Sequence, residues 1–357
     1  TINLIGFGWN WSPFKYSGLG RFPPKKLPSL RLDPAQRPHF GMKTPPPSLF
    51  RPGISERASV HGPAASRHEA PCEWLGRRTC GLVVVGHGTA DPTGAEETRE
   101  VARLVARLLP DVAVELGFLE VIGPSIGEAL VRLADRGCTE VVAAPLLLFS
   151  AGHAKRDVPE AVRMGAAKAG LAVRQADALG CHPGIVSLSR SRCLEAVAPL
   201  SSLPAEETVL LMIGRGSSEP TAWQQLHDFA VAVWATGQRI ELGFVAAARP
   251  TLSEAIANAA AGGAVPHSAG DVAAEPAGRT RASGVCRGTV RRVIVQPHLL
   301  FRGHVEEQVT AALDRGSREH PGIEWVQARR LGPDPLVARA LIDRAAAEAA
   351  AFNAHME

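Results

Sequence analysis

The chain has 357 residues, room for two domains of ordinary size, and its 45% hydrophobic and 21% charged residues are the balance of a globular protein. No apolar run reaches the roughly 18 residues of a membrane-crossing helix. The net charge of +4 comes from one end: 12 of the 39 Lys/Arg but 4 of the 35 Asp/Glu fall within residues 1–78, leaving 27 against 31 in the rest. The body is therefore mildly acidic, which argues against a nucleic-acid partner.

Residues 1–78 also hold 12 of the 28 prolines, including Pro45-Pro46-Pro47, and show no sustained strand or helix period. A segment with so little to bury is expected to be a disordered, basic, Pro-rich extension. It lacks the basic-then-apolar layout of an export signal. The six cysteines show no CxxC spacing, so they fit buried thiols in a reducing compartment rather than zinc or iron–sulfur ligands. The expectation is a cytoplasmic protein with no membrane partner.

From residue 81 onward short apolar runs alternate with amphipathic segments. Leu82–Val85, Val112–Leu119, Glu140–Leu148 and Leu171–Gln175 read as strands. Between and after them, Thr93–Leu109, Ser125–Asp135, Asp157–Ala169 and Pro183–Ala196 read as helices. Ser125 with Glu128 matches a capping box, Gly137 ends that helix, and Asp157 is the expected cap of the third. Strands alternating with helices predict a parallel sheet covered on both faces.

The second half repeats the first. Gly214-Arg-Gly216 follows a strand as Gly86-His-Gly88 does, and Glu241-Leu-Gly-Phe244 matches Glu115-Leu-Gly-Phe118. Leu299-Leu-Phe-Arg-Gly-His304 matches Leu147-Leu-Phe-Ser-Ala-Gly-His153 with one residue fewer. The offset grows from 126 at Glu115/Glu241 to 152 at Pro145/Pro297, so the second copy carries 26 extra residues. They fall in a Gly/Ala/Pro-rich stretch at about 262–286, read as a surface loop. The expected organisation is two flavodoxin-like α/β domains, 79–200 and 207–350, with a cleft between them.

Strand ends of such sheets carry ligands. His87, Glu120 and His153 stand at strand ends of the first copy; Arg215, Ala247 or its neighbour, and His304 stand in the second. A neutral imidazole there either binds a transition metal or braces its loop, and a carboxylate such as Glu120 either takes protons or stays solvated. Lys155 and Arg156 are solvated cations or binders of substrate carboxylates. His182 and His298, next to prolines, read as supports for their loops. Gly86 and Gly88 make no nucleotide-binding glycine pattern.

Gly86-His-Gly-Thr-Ala-Asp-Pro92, Phe118-Leu-Glu120, Pro124-Ser125, Pro145-Leu-Leu-Leu-Phe-Ser-Ala-Gly-His153 and Asp157-Val-Pro159 resemble the sirohydrochlorin chelatase family, ATP-independent class II chelatases of siroheme and cobalamin synthesis. The resemblance covers residues 81 to about 345, in the long form with two fused copies. It implies a metal chelatase of the lyase class that inserts Co²⁺, Fe²⁺ or Ni²⁺ into a tetrapyrrole, with no organic cofactor. His87 and His153 then take the metal-binding histidine roles and Glu120 the acidic one. Arg215 stands where a second His87 would be, so it, Arg302 and His304 are expected to hold carboxylates of the macrocycle. Cobalt is the expected metal, because the two-copy form resembles cobaltochelatases. Iron insertion and a carrier of metal or tetrapyrrole without turnover are the alternatives. The fused repeat fits a monomer or a homodimer.

Overall fold

The computed structural model describes residues 79–149, 153–219, 221–234, 239–262 and 289–356. The basic extension expected over 1–78, and the loop expected at about 262–286 beyond Gly262, lie outside these residues.

The first copy runs β1 (Cys80–Gly86), α1 (Pro92–Leu108), β2 (Ala113–Phe118), α2 (Ile126–Asp135), β3 (Glu140–Pro145), α3 (His153–Ala169), β4 (Ala172–Gln175) and α4 (Pro183–Val197). The second runs β5 (Thr208–Gly214), α5 (Thr221–Val233), β6 (Arg239–Phe244), α6 (Leu252–Ala260), β7 (Arg292–Pro297), α7 (His304–Glu319), β8 (Glu324–Gln327) and α8 (Pro335–Met356). Each makes a parallel four-stranded sheet, ordered β2-β1-β3-β4 and β6-β5-β7-β8. Val83 lies opposite Glu115 and Ala143, and Leu211 opposite Glu241 and Val295, so the two copies share one register. Central strands β1 and β5 are buried along their whole length because helices cover both faces, which is why they read as unbroken apolar runs.

Local signals repeat as well. Ser125 caps α2 and Thr251 caps α6, each in a reciprocal box with a glutamate three residues on. One expected boundary is corrected. Asp157 does not cap α3: the helix begins at His153, so Asp157 lies inside it and Pro159 follows two residues later. As the seventh residue of α3, Pro159 lies inside the helix and supplies no N–H for the Lys155 carbonyl.

The outer face of each sheet has its own core, Val83, Val85 and Val141 beneath α2 and α3, and Val209, Leu211 and Val293 beneath α6 and α7. The inner faces share a single one. Leu82, Val84 and Val142 join Leu210, Met212 and Ile294 in one apolar cluster. The terminal helices are exchanged across it. α4 packs on β7, β8 and α5 of the second copy, while α8 packs on β3, β4 and α1 of the first. Arg190 of α4 donates to the carbonyls of Ala232 and Val233 at 2.9 and 2.8 Å. Buried Arg192 donates to the Leu331 carbonyl at 3.0 Å and to Asp334 at 2.9 Å. Arg344 of α8 reciprocates, donating to the Leu179 carbonyl at 3.0 Å. Among the described residues no helix is long and apolar enough to cross a membrane.

Candidate functional site

β1 ends at Gly86, and the chain turns at Gly88 with φ +97°. A Cβ on Gly88 would lie 1.9 Å from the carbonyl oxygen of Glu120, so both the turn and the close approach require glycine. The approach arises because pairing continues past the strands. The Leu119 N–H donates to the Gly86 carbonyl at 2.9 Å and the Glu120 N–H to the His87 carbonyl at 3.1 Å.

These bonds place the two side chains together. Nε2 of His87 lies 3.6 Å from Oε1 of Glu120, too far for a hydrogen bond. On its other side, Nδ1 is 3.3 Å from the Gly88 carbonyl. With the ring proton on Nδ1, that contact is a hydrogen bond and the Nε2 lone pair faces the carboxylate. Two electron-pair donors so placed suit a cation between them. With metal–ligand bonds of about 2.1 Å, donors 3.6 Å apart can both reach one ion. The pair is about half open to solvent, so an arriving ion finds it accessible.

The second copy keeps the loop and changes the chemistry. The Ala246 N–H donates to the Arg215 carbonyl at 2.9 Å, and a Cβ on Gly216 (φ +89°) would lie 1.8 Å from the Ala246 oxygen. Ala246, the neighbour of Ala247, is thus the counterpart of Glu120. Ala247 matches Val121, both with positive φ (+54° and +70°). Arginine and alanine supply neither a lone pair nor a carboxylate.

The copies face one another across a cleft of about 450 Å³. His87 and Leu146–Phe149 line it from the first copy; Arg215–Ser218, Ala246, Ala247 and His298–Leu300 line it from the second. The walls are mainly apolar, with Arg215 exposed and making no ion pair among the described residues. His298 is 4% exposed and rests against Phe229 and Phe149, at ring-centre distances of 4.1 and 4.8 Å. Burial pushes its imidazole down to about 3, so the ring is neutral at ordinary pH.

Lys155, Arg156, Arg302 and His304 lie outside the lining of this cleft. His153 stands at the first position of α3 and His304 at the first of α7. The His304 ring is exposed, with Nε2 2.7 Å from Gln308 Nε2 and Nδ1 3.6 Å from Glu307. Lys155 pairs with Glu219 across the copies at 3.6 Å, and Arg156 is exposed on the same turn. Arg302 lies 3.7 Å from Asp91 and 3.9 Å from Glu307, while its N–H donates to Glu97 at 2.8 Å. His182 does support its loop: Nδ1 accepts from Gly184 at 3.1 Å and Nε2 lies 3.3 Å from Asp343 of α8. His298 was not expected in a cleft. The signal available was its alignment with Leu146, each directly following the proline that ends a central strand. Among the described residues no three His, Cys, Asp or Glu side chains converge as a metal site.

A family model described as CbiX matches residues 81–196, 209–267 and 273–348. A sirohydrochlorin cobaltochelatase of Priestia megaterium is 24% identical over 267 residues, covering 74% of this chain and 78% of that protein. A sirohydrochlorin ferrochelatase of the same organism is also 24% identical, over 254 residues, covering 70% and 84%. The solved structure of SirB from Bacillus subtilis with Fe³⁺ superposes with a TM-score of 0.61 at 20% identity, covering 77% of this chain and 98% of that one. That likeness is one of fold. With matched segments spanning both copies, the chain belongs to the CbiX family.

Proposed function

We propose that this protein is a long-form sirohydrochlorin chelatase that inserts Co²⁺ into the macrocycle without nucleotide or organic cofactor. The observation that carries the reading is His87 Nε2 standing 3.6 Å from the Glu120 carboxylate, with His87 lining an apolar cleft of about 450 Å³. Its support in kind is the match to chelatases along both copies.

Insertion exchanges a divalent ion for two pyrrole protons. In this account Nε2 of His87 takes the ion together with His153, leaving coordination positions for the ring nitrogens. The leucines after β3 receive one face of the macrocycle, and Arg215, in no ion pair among the described residues, takes a peripheral carboxylate. Glu120 accepts a displaced proton beside the ion, and solvent at the open rim removes it. One chain supplies both walls of the cleft, so a monomer suffices.

Imidazole and carboxylate do not separate cobalt from iron. An iron-inserting enzyme is the second reading, favoured by a ferrochelatase relative as similar as the cobalt one. The deciding experiment is anaerobic insertion into sirohydrochlorin by limiting protein with excess Co²⁺ or Fe²⁺, followed by absorbance. Wild type should turn over above the spontaneous rate, faster with Co²⁺; His87→Ala and His153→Ala should lose about 10²-fold or more, and Glu120→Gln about tenfold or more. Stoichiometric binding without turnover would leave a carrier instead.

A further inference from the structure

His298 and Leu146 occupy equivalent places. Each donates its N–H at 2.8 Å to a strand carbonyl, His298 to Ile213 and Leu146 to Val85. The first copy fills the position with an apolar side chain that is 3% exposed. The second buries an imidazole equally well, and neither ring nitrogen has a hydrogen-bond partner. Burying two polar atoms unpaired is unfavourable, and the leucine shows that packing does not demand it. The ring nevertheless lines the cleft that Arg215 also lines.

We propose that His298 is a positioning residue for the macrocycle: its imidazole accepts a hydrogen bond from an inner pyrrole N–H of the unmetallated tetrapyrrole. The inference rests on the chelatase reading above. The partner must be neutral at the point of contact, since surroundings that exclude a proton from the ring also exclude a bare divalent ion. For the same reason His298 holds an N–H without removing its proton, a task left to the His87–Glu120 side. Phe149, tilted 34° over the ring, is the side chain a ligand moves aside.

The test compares wild type with His298→Leu, which installs the first copy's residue, and His298→Asn, which restores a hydrogen-bonding group. His298→Met serves as the apolar variant if leucine does not pack. Metal-free sirohydrochlorin binding is titrated anaerobically by absorbance, Co²⁺ binding is titrated alone, and kcat and KM are measured. His298→Leu should bind the free macrocycle about five- to tenfold more weakly, the worth of one neutral hydrogen bond. It should raise KM more than it lowers kcat and keep its Co²⁺ affinity, while His298→Asn recovers part of the loss. Equal macrocycle affinity in wild type and His298→Leu overturns the proposal, as does lost Co²⁺ affinity in that variant. Wild type that binds no sirohydrochlorin overturns the chelatase reading and this one with it. Wild type that turns over beside an equally tight His298→Leu overturns this one alone.

Discussion

At Gly88 the β1 loop passes so close to Glu120 that a methyl group has no room, and at Gly216 the second copy does the same against Ala246. The contact belongs to the backbone in both copies, while the imidazole and carboxylate belong to one. Gly88→Ala and Gly216→Ala should therefore destabilise alike, by about 1–3 kcal/mol from the positive φ alone and more from the clash. Chemical denaturation would show equal losses, but a Co²⁺ titration should weaken in Gly88→Ala and stay unchanged in Gly216→Ala. His298 supplies a pH dependence. Its folded-state value of about 3 lies below the ordinary 6.5, so unfolding is favoured by proton uptake as pH falls below 6.5. Its neutral form supports the fold fully above pH 6.5, and that support is lost progressively on acidification toward 3. Between pH 6.5 and 5, wild type should lose about 2 kcal/mol relative to His298→Leu. Urea midpoints of both proteins at the two pH values measure this, and parallel midpoints would refute it.

α4 reads from the sequence as the closing helix of the first copy, yet its packing, like that of α8, is on the sheet of the other copy. Periodicity is local and marks which residues are buried; it does not name what they are buried against. Ile185, Leu188 and Cys193 define the buried face of α4, but only the folded chain shows Cys193 donating its thiol hydrogen to Gln296 at 3.1 Å. The doubled sheet was legible for the converse reason: Glu-Leu-Gly-Phe and the capping boxes recur at fixed places because each specifies a local structure. His87 and Glu120 were legible because glycines and strand ends flag them. The engagement of Lys155 with Glu219 and Arg302 with Asp91 was not, since those acids are remote along the chain. The exchange also exposes a weak point. Arg192, 7% exposed, depends on Asp334 just before α8, with Glu195 and the Leu331 carbonyl as further partners. Asp334→Ala should cost about 3 kcal/mol, the low end for breaking a buried pair, because a partner remains. Leu341→Ala, in the shared core, should cost about 2–5 kcal/mol. Thermal unfolding of both should stay a single transition, because the helices tie the two sheets together.

The molecule as a whole is a pseudo-dimer whose halves are alike in frame and unlike in chemistry. The proposed site predicts one tightly bound Co²⁺ per chain, measurable by equilibrium dialysis, and none in His87→Ala; two equivalent ions per chain would refute the asymmetry. Expressed separately, 79–200 and 207–357 should each be aggregation-prone, since each leaves an inner sheet face uncovered, and should recover a folded core when co-expressed. The same interlocking sets a timetable for synthesis. β4 ends at Gln175, but the helix that seals β3 and β4 begins at Pro335, 160 residues later. At translation rates of about 5–20 residues per second, the first sheet waits roughly 8–32 s on the ribosome with one greasy side open. The nascent chain is thus a client for holding chaperones over that interval, and the emergence of α8 is what ends it.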